Sequence, residues 1–398
     1  MGKSKSRTAS KAPGSWLKST AEEPVATKAK TKHQRPKTMA ELADKHQLYQ
    51  QAVQKPRKEV RNLDTIYRKL CTQHLDHATK KRPANQSPGE SSDSGLDDPL
   101  HGHRRHALTM REDFCGTAVL CAEWVRTDSS PERCAYGVDI DKNVIDYAME
   151  HTVGGAGHHE SSLGSRIKLV CADVMAVKGS GSASEELHRL SLPRVDIIAS
   201  LNYAMCYFHQ RQDLIRYLKH SLKNLNDFGL LFCDIFGGVE ATKSGISNIR
   251  DLGSFKYYFH QHSYDLMSNT IRFSLGFKMR DGSVLKNCFS YEFRVYTISD
   301  LKEAMLEAGF DDVSVWISPR TKDGDEESDE DKNSDSSEET DGEASSCEDE
   351  GKDASDDSHG HSSSGQGDFE AFTEMKTRME MPYAFNAYIV GIKLPKSR

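Results

Sequence analysis

MREDFCGTAVL occupies residues 110–120 and YGVDID residues 136–141. The first stretch reads as an apolar strand ending in Glu112 and Asp113, a tight turn at Cys115-Gly116-Thr117, and the opening of a helix. Asp139 closes the next strand, and Asp173 closes a third within VCADV. A nucleoside ligand needs this pattern: a glycine lets the backbone approach at the first strand–helix turn, and ligands of open α/β sheets sit at the carboxyl ends of the strands. A carboxylate at the second tip accepts hydrogen bonds from ribose hydroxyls, and one at the third accepts from an amino group of a base.

The alternation continues outward. HALTM, CAYGVDI, RIKLVCADV, VDIIASL and GLLFCDIF read as strands, with helices over TAVLCAEWVR and KNVIDYAME. Another helix is marked by Leu214, Ile215, Leu218, Leu222 and Leu225. Unbroken apolar runs imply strands buried on both faces, hence a parallel sheet covered by helices on both sides. Over 253–296 the rhythm changes to antiparallel strands, with a hairpin signal at Asp281-Gly282. A helix follows with Ser299 as expected N-cap and Gly309 as its stop, then the strand VSVWI, and AFNAYIVGIKL returns to the core. Before all this, Leu42, Tyr49 and Val53 suggest one helix, and Val60, Leu63, Ile66, Tyr67 and Leu70 a second opened by Pro56.

The chain has 398 residues, 36% of them hydrophobic, and a net charge of −7. That bland total hides two opposites. Residues 1–38 carry 10 Lys/Arg against 2 Glu, and residues 322–357 carry 18 Asp/Glu against 3 Lys. The body between them is near neutral, which excludes a uniformly basic nucleic-acid binder. Low hydrophobicity in these segments predicts disorder. The expected organisation is a basic arm (1–38), an N-terminal helical lid (39–76) and a linker (77–103). The core follows over 104–318 plus 368–398, with an antiparallel substrate cap at 239–296 and an acidic Ser-rich insert at 319–367. No apolar run reaches the ~18–20 residues that span a bilayer. Nine scattered cysteines without a CxxC pair fit reduced thiols in a cytoplasmic or nuclear protein.

On these residues the chain resembles the class I S-adenosylmethionine-dependent methyltransferases. Glu112 stands at the acid of their first motif, and Cys115-Gly116-Thr117 match its centre; Phe114 and Ala118 replace its first and last glycines. The resemblance covers roughly 105–318 plus 384–393. It implies a seven-stranded, mostly parallel Rossmann-like sheet with the last strand antiparallel. Its implied S-adenosylmethionine (SAM) site holds Glu112, Asp113, Cys115, Gly116, Thr117, Asp139, Ile140, Asp173, Val174 and Leu201. Asn202 and Tyr203, after the fourth strand, are the expected catalytic-side residues; Tyr207, Asp234, Tyr264, Tyr291 and Arg294 are the expected acceptor-side residues. Asn202-Tyr203-Ala204-Met205 lacks the two prolines of the motif used on base or glutamine amino groups. A nicotinamide-binding domain is the rival, but it needs GxGxxG for its pyrophosphate and only Gly116 is present.

The implied reaction is methyl transfer to an N, O or carboxylate acceptor on a small molecule. Protein or RNA methylation is the second reading, and a noncatalytic scaffold the third. The helix around residues 48–54 is expected to close over the donor. The acidic insert suits a basic protein partner, and the basic arm suits weak nucleic-acid contact, an import signal or, through Met1-Gly2-Lys3-Ser4-Lys5-Ser6, a myristoylation pattern. The scattered histidines lack carboxylate or cysteine partners at ligand spacing, so no metal is expected.

Overall fold

The computed structural model describes residues 35–80, 106–154, 163–179, 191–320 and 372–396. The expected basic arm, the acidic insert and nearly all of the linker lie outside the described residues. Helices α1 (Met39–Leu42), α2 (Lys45–Val53) and α3 (Pro56–Lys80) come first. Then β1 (Thr109–Asp113), α4 (Val119–Arg126), β2 (Cys134–Asp139), α5 (Lys142–Tyr147), α6 (Leu163–Arg166) and β3 (Ile167–Cys171) alternate. Two short strands, β4 (Lys178–Gly179) and β5 (Ser191–Leu192), precede β6 (Val195–Ser200), α7 (Arg211–Asn224) and β7 (Leu225–Gly237). An antiparallel run follows: β8 (Ile246–Asp251), β9 (Phe255–Asp265), β10 (Thr270–Met279) and β11 (Val284–Arg294). The chain closes with α8 (Ile298–Ala308), β12 (Asp312–Arg320), β13 (Thr373–Glu374) and β14 (Ala384–Ile392).

The central sheet is ordered β13-β12-β14-β7-β6-β1-β2-β3. Five neighbouring strands, β7 to β3 in that order, are parallel, and β14 runs antiparallel to both β7 and β12. The chain leaves β1 toward β2 and β3 on one side, and later strands add on the other. The crevice of this sheet therefore opens above β1. Eight strands appear where seven were expected. The additional one is β13, two residues paired with Trp316 and Ile317, too short to register as a period in the sequence.

Each sheet face has its own core. On one, Met110, Ile197, Leu230, Phe232 and Val390 meet α3 and α4 through Leu63, Ile66, Leu70 and Trp124. On the other, Val138, Ile198, Leu231 and Ile389 meet α7 and α8 through Leu214, Leu218, Leu301 and Met305. α3 is therefore a core helix, because Val60, Leu63, Ile66, Tyr67 and Leu70 form one buried stripe. The N-terminal segment expected as a lid thus contains one layer of the core, and only α1 and α2 stand apart from it. They pack with the four-stranded sheet β11-β10-β9-β8, which has its own cluster around Phe255, Phe273 and Phe277.

Three local readings change. Thr297, not Ser299, caps α8: its hydroxyl accepts from Asp300 N–H while the Asp300 carboxylate accepts from Thr297 N–H, a reciprocal box that Ser299 cannot form from inside the helix. Leu225 opens β7 rather than extending the face of α7. β8 was not anticipated, because it is an exposed edge strand with no apolar alternation. Gly309 ends α8 in the left-handed conformation, and Gly282 at φ +82° turns the β10–β11 hairpin.

Candidate active site

The turn after β1 is built on three left-handed residues. Gly116 has φ +52°, and Phe114 and Ala118, at the two positions where glycine was expected, have φ +60° and +56°. Each non-glycine there costs about 1–2 kcal/mol of backbone energy. Local bonds hold the shape: Cys115 N–H donates to the Val138 carbonyl (3.0 Å) and Ala118 N–H to the Cys115 carbonyl (2.8 Å). The Phe114 ring packs on Tyr217 and Phe208, with centroids 5.9 and 6.2 Å away. A Cβ added to Gly116 would meet nothing within 4 Å, so the backbone there faces open space.

The strand tips are tied to one another. Gly116 N–H donates to Asp139 Oδ2 (2.8 Å), and Asp141 N–H to Asp139 Oδ1 (2.9 Å). Ala172 N–H donates to the Asp139 carbonyl (2.8 Å), which brings the tip of β3 alongside. Asp173 is exposed and accepts from Met175 N–H at 2.8 Å. Ile140 presents an apolar side chain that is 72% exposed beside these carboxylates, whereas Val174 and Leu201 are buried in the two cores. The structure thus brings together Gly116, Thr117, Asp139, Ile140 and Asp173. Cys115 turns its thiol toward Gly137, and Val174 and Leu201 support the tips from beneath.

The two acids at the end of β1 take opposite sides of the strand, as alternation requires. Asp113 is buried. Its carboxylate pairs with the Arg111 guanidinium, Nε lying 2.8 Å from Oδ1, while Oδ2 accepts from Arg111 Nη2 (2.9 Å) and the Tyr217 hydroxyl (2.8 Å), under α7. It belongs to the core and not to the crevice, a correction to its expected donor-binding place. Glu112 is buried toward α4, where Oε2 accepts from Cys121 N–H (3.2 Å) and the Cys121 thiol (3.1 Å). Burial pushes its carboxyl up to about 8, against the opposing pull of the Cys121 bonds. The folded chain therefore keeps a proton that the unfolded chain loses near 4.5. Between those values the native state binds more protons, so stability falls as pH rises, by up to ~1.4 kcal/mol per unit. Glu112→Gln removes that share: urea unfolding should find the variant gaining on the wild type from pH 5 to 8.5. Equal slopes would refute the burial argument.

The loop after β6 contains two consecutive left-handed residues, Asn202 (φ +59°) and Tyr203 (φ +62°). Asp234 holds them: its carboxylate accepts from Asn202 N–H (3.0 Å) and Tyr203 N–H (2.7 Å). It lies within β7, which runs on to Gly237, rather than at the strand's end. The residue keeps some exposed surface, yet burial of the carboxyl outweighs those donors and pushes it up to about 8. Tyr203 donates its hydroxyl to Asn386 Oδ1 (2.8 Å).

Aromatic residues fill the space between the tips and the second sheet. Tyr207 is half-exposed; its ring lies 6.3 Å from Phe114, 4.8 Å from Phe293 and 6.4 Å from Tyr291. Tyr291 stacks on Phe273 at 5.0 Å. Arg294, three residues along β11, faces the other way. It donates to the His209 carbonyl (2.7 Å) and lies over Tyr296, so the expected acceptor contact is replaced by a role in holding the 208–209 turn. Tyr264 is carried to the inner face by a bulge near Ser263, opposite Ile271, but at the hairpin end, where its hydroxyl donates to Asn269 (2.7 Å).

Two residues of the helix expected over the donor, neither named there as a site residue, complete the site. Gln50 of α2 donates to the Thr117 hydroxyl (2.8 Å), and the ring of its neighbour Tyr49 lies 4.9 Å from Phe289. α1 is anchored to the β10–β11 turn by Met39 N–H to Asp281 (2.8 Å) and Ala40 N–H to Ser283 (3.0 Å). The helical period around residue 50 was readable; which of its polar residues meets Thr117 depends on how the helix docks.

Among the described residues no group of three or more His, Cys, Asp or Glu side chains converges as a metal site, and no helix is long and apolar enough to cross a membrane. No protein-family model matches the chain, and no curated protein matches it. Among solved structures it is similar to a SAM-dependent methyltransferase from Clostridium acetobutylicum, with 13% identity over 72% of this chain and 84% of that one, TM-score 0.42. It is also similar to the CcbJ methyltransferase from Streptomyces caelestis (13%, 52% and 78%, TM-score 0.40). CalS10, an amino pentose methyltransferase from Micromonospora echinaspora, shares 11% identity over 68% of this chain and 89% of that one, TM-score 0.40.

Proposed function

We propose that this protein is a SAM-dependent methyltransferase acting on a small molecule. The carrying observation is the joined tip of β1 and β2, where Gly116 N–H is bonded to Asp139 and the glycine's outer side is open. Asp139 would accept from the ribose hydroxyls, Ile140 would cover the base, and Asp173 would accept from its amino group. The Gly116–Thr117 backbone would receive the aminocarboxylate. A dinucleotide suits this crevice poorly: its pyrophosphate would meet two carboxylates at a turn with a single glycine. A sulfonium donor carries positive charge and no phosphate, which agrees with the carboxylate-lined rim.

The donor supplies an already activated methyl group. The chain's task is to align the acceptor for in-line attack and exclude water. Asn202 and Tyr203, fixed by Asp234, would set the floor between donor and acceptor. α1 and α2 would form the lid, since Gln50 touches the donor turn and Tyr49 the aromatic space. The sheet β8–β11 would serve as the substrate cap. A protein or RNA acceptor is the alternative, resting on the charged segments outside the described residues.

Calorimetry separates the cofactor classes. S-adenosylhomocysteine (SAH) is expected to bind at micromolar concentrations and NADH not to bind. The reverse result would overturn the assignment.

A further inference from the structure

The aromatic space between the strand tips and the second sheet has a chemical character of its own. The hydroxyls of Tyr291, Tyr203, Tyr207 and Tyr257 all lie close enough to Tyr49 to act on it electrostatically, and the Tyr207 and Tyr291 rings lie 6.4 Å apart. Tyr207 in turn lies within electrostatic reach of Asp139, so the cluster begins where the donor site ends. Ring faces surround it: Phe293 packs 4.8 Å from Tyr207 and 5.1 Å from Tyr291, and Phe289 lies 4.9 Å from Tyr49.

The charged acid that reaches this cluster is Asp139, by Tyr207; the Asp234 carboxyl, by the Tyr203 backbone, is kept protonated at neutral pH by its burial. The cations at its edge are engaged with protein groups. Arg250 is bonded to the Ala52 carbonyl and lies 5.1 Å over Tyr257, Lys45 is exposed over Phe289 at 5.4 Å, and Arg294 faces away toward His209. Faces of π systems, phenol oxygens and carboxylates favour a positive charge, and they penalise an anion.

We propose that the acceptor group is an amine, bound against the faces and hydroxyls of Tyr49, Tyr207, Tyr257 and Tyr291; this rests on the methyltransferase reading above. The nitrogen lone pair forms the N–C bond as the C–S bond breaks, and that electron pair leaves on sulfur as a neutral thioether. The positive charge moves from sulfur to nitrogen, and the new N-methylammonium gives its proton to water only after it leaves the site. Throughout, the charge stays beside the aromatic faces, whose attraction to a cation persists along the path. A carboxylate acceptor would enter against the Asp139 carboxylate and the π faces. A hydroxyl acceptor would need a base, and burial drives the Tyr49 and Tyr291 phenols far above their ordinary range, where neither is a proton acceptor at neutral pH.

The test uses the full chain saturated with SAH and two probes, tetramethylammonium and acetate, followed by saturation-transfer NMR. Tetramethylammonium is expected to bind and acetate not. Tyr291→Leu should weaken tetramethylammonium binding about tenfold, while Tyr291→Phe, which keeps the ring, should stay within about threefold. SAH affinity, measured by calorimetry, should be unchanged in both variants. Acetate binding as well as tetramethylammonium, or a leucine variant that binds it undiminished, overturns the amine assignment. Failure of the wild type to bind SAH overturns the methyltransferase reading instead.

Discussion

Asp139→Ala is expected to weaken SAH binding on the order of 10²- to 10⁴-fold, the value of two charge-assisted hydrogen bonds at about 1.5–3 kcal/mol each. The variant loses more than its ligand bonds. Gly116 N–H, which donates to Asp139 Oδ2 at 2.8 Å, is left without that acceptor, so the left-handed turn at 114–118 loosens as well. Asp139→Asn keeps one acceptor oxygen and should fall by about tenfold to a hundredfold. Calorimetry with SAH measures both, and a melting temperature within a few degrees of wild type separates binding from unfolding. Unchanged affinity in the alanine variant would remove Asp139 from the donor site.

Asp113→Ala is expected to have the largest effect on stability, about 3–5 kcal/mol, because it leaves the Arg111 guanidinium buried without its counter-charge. Its neighbour Tyr217 also loses the acceptor of its hydroxyl. SAH affinity of the folded fraction should stay within about threefold, since the Asp113 carboxylate lies under α7 and away from the crevice. Replacing both partners, as Arg111→Met with Asp113→Leu, should recover most of the loss, because a buried pair gives back in attraction little more than its desolvation takes. Urea unfolding reads the stability and calorimetry the binding. A variant that keeps its stability yet loses SAH would return Asp113 to the donor site.

These two aspartates show how far residue type carries. Both end strands within the same motif, and both read as donor-site acids. Asp139 stands at a tip where the chain turns away, and its oxygens accept from backbone N–H groups of the neighbouring turns. Asp113 also ends its strand, but the pleat sends its side chain beneath α7 to Arg111 and Tyr217. The same holds on β11. Tyr291 and Arg294 are three residues apart, and an odd separation on a strand puts side chains on opposite faces. Tyr291 therefore meets Phe273, and Arg294 meets the His209 carbonyl. Asp234 offered no signal of its actual work, which is to hold Asn202 and Tyr203 in a left-handed bend.

From its amino acids alone the chain specified a mainly parallel α/β sheet, the turn at Gly116, the carboxylates at the ends of β2 and β3, and an antiparallel sheet rich in tyrosine. Those features follow from apolar period, turn chemistry and chain order, all of which are local. Tertiary packing alone decided that α3 is a core layer, that Gln50 reaches Thr117, that Phe114 and Ala118 tolerate left-handed backbone, and that Asp113 is interior. Each depends on which surface of one element meets another, and that choice is made by long-range contacts that no local pattern encodes.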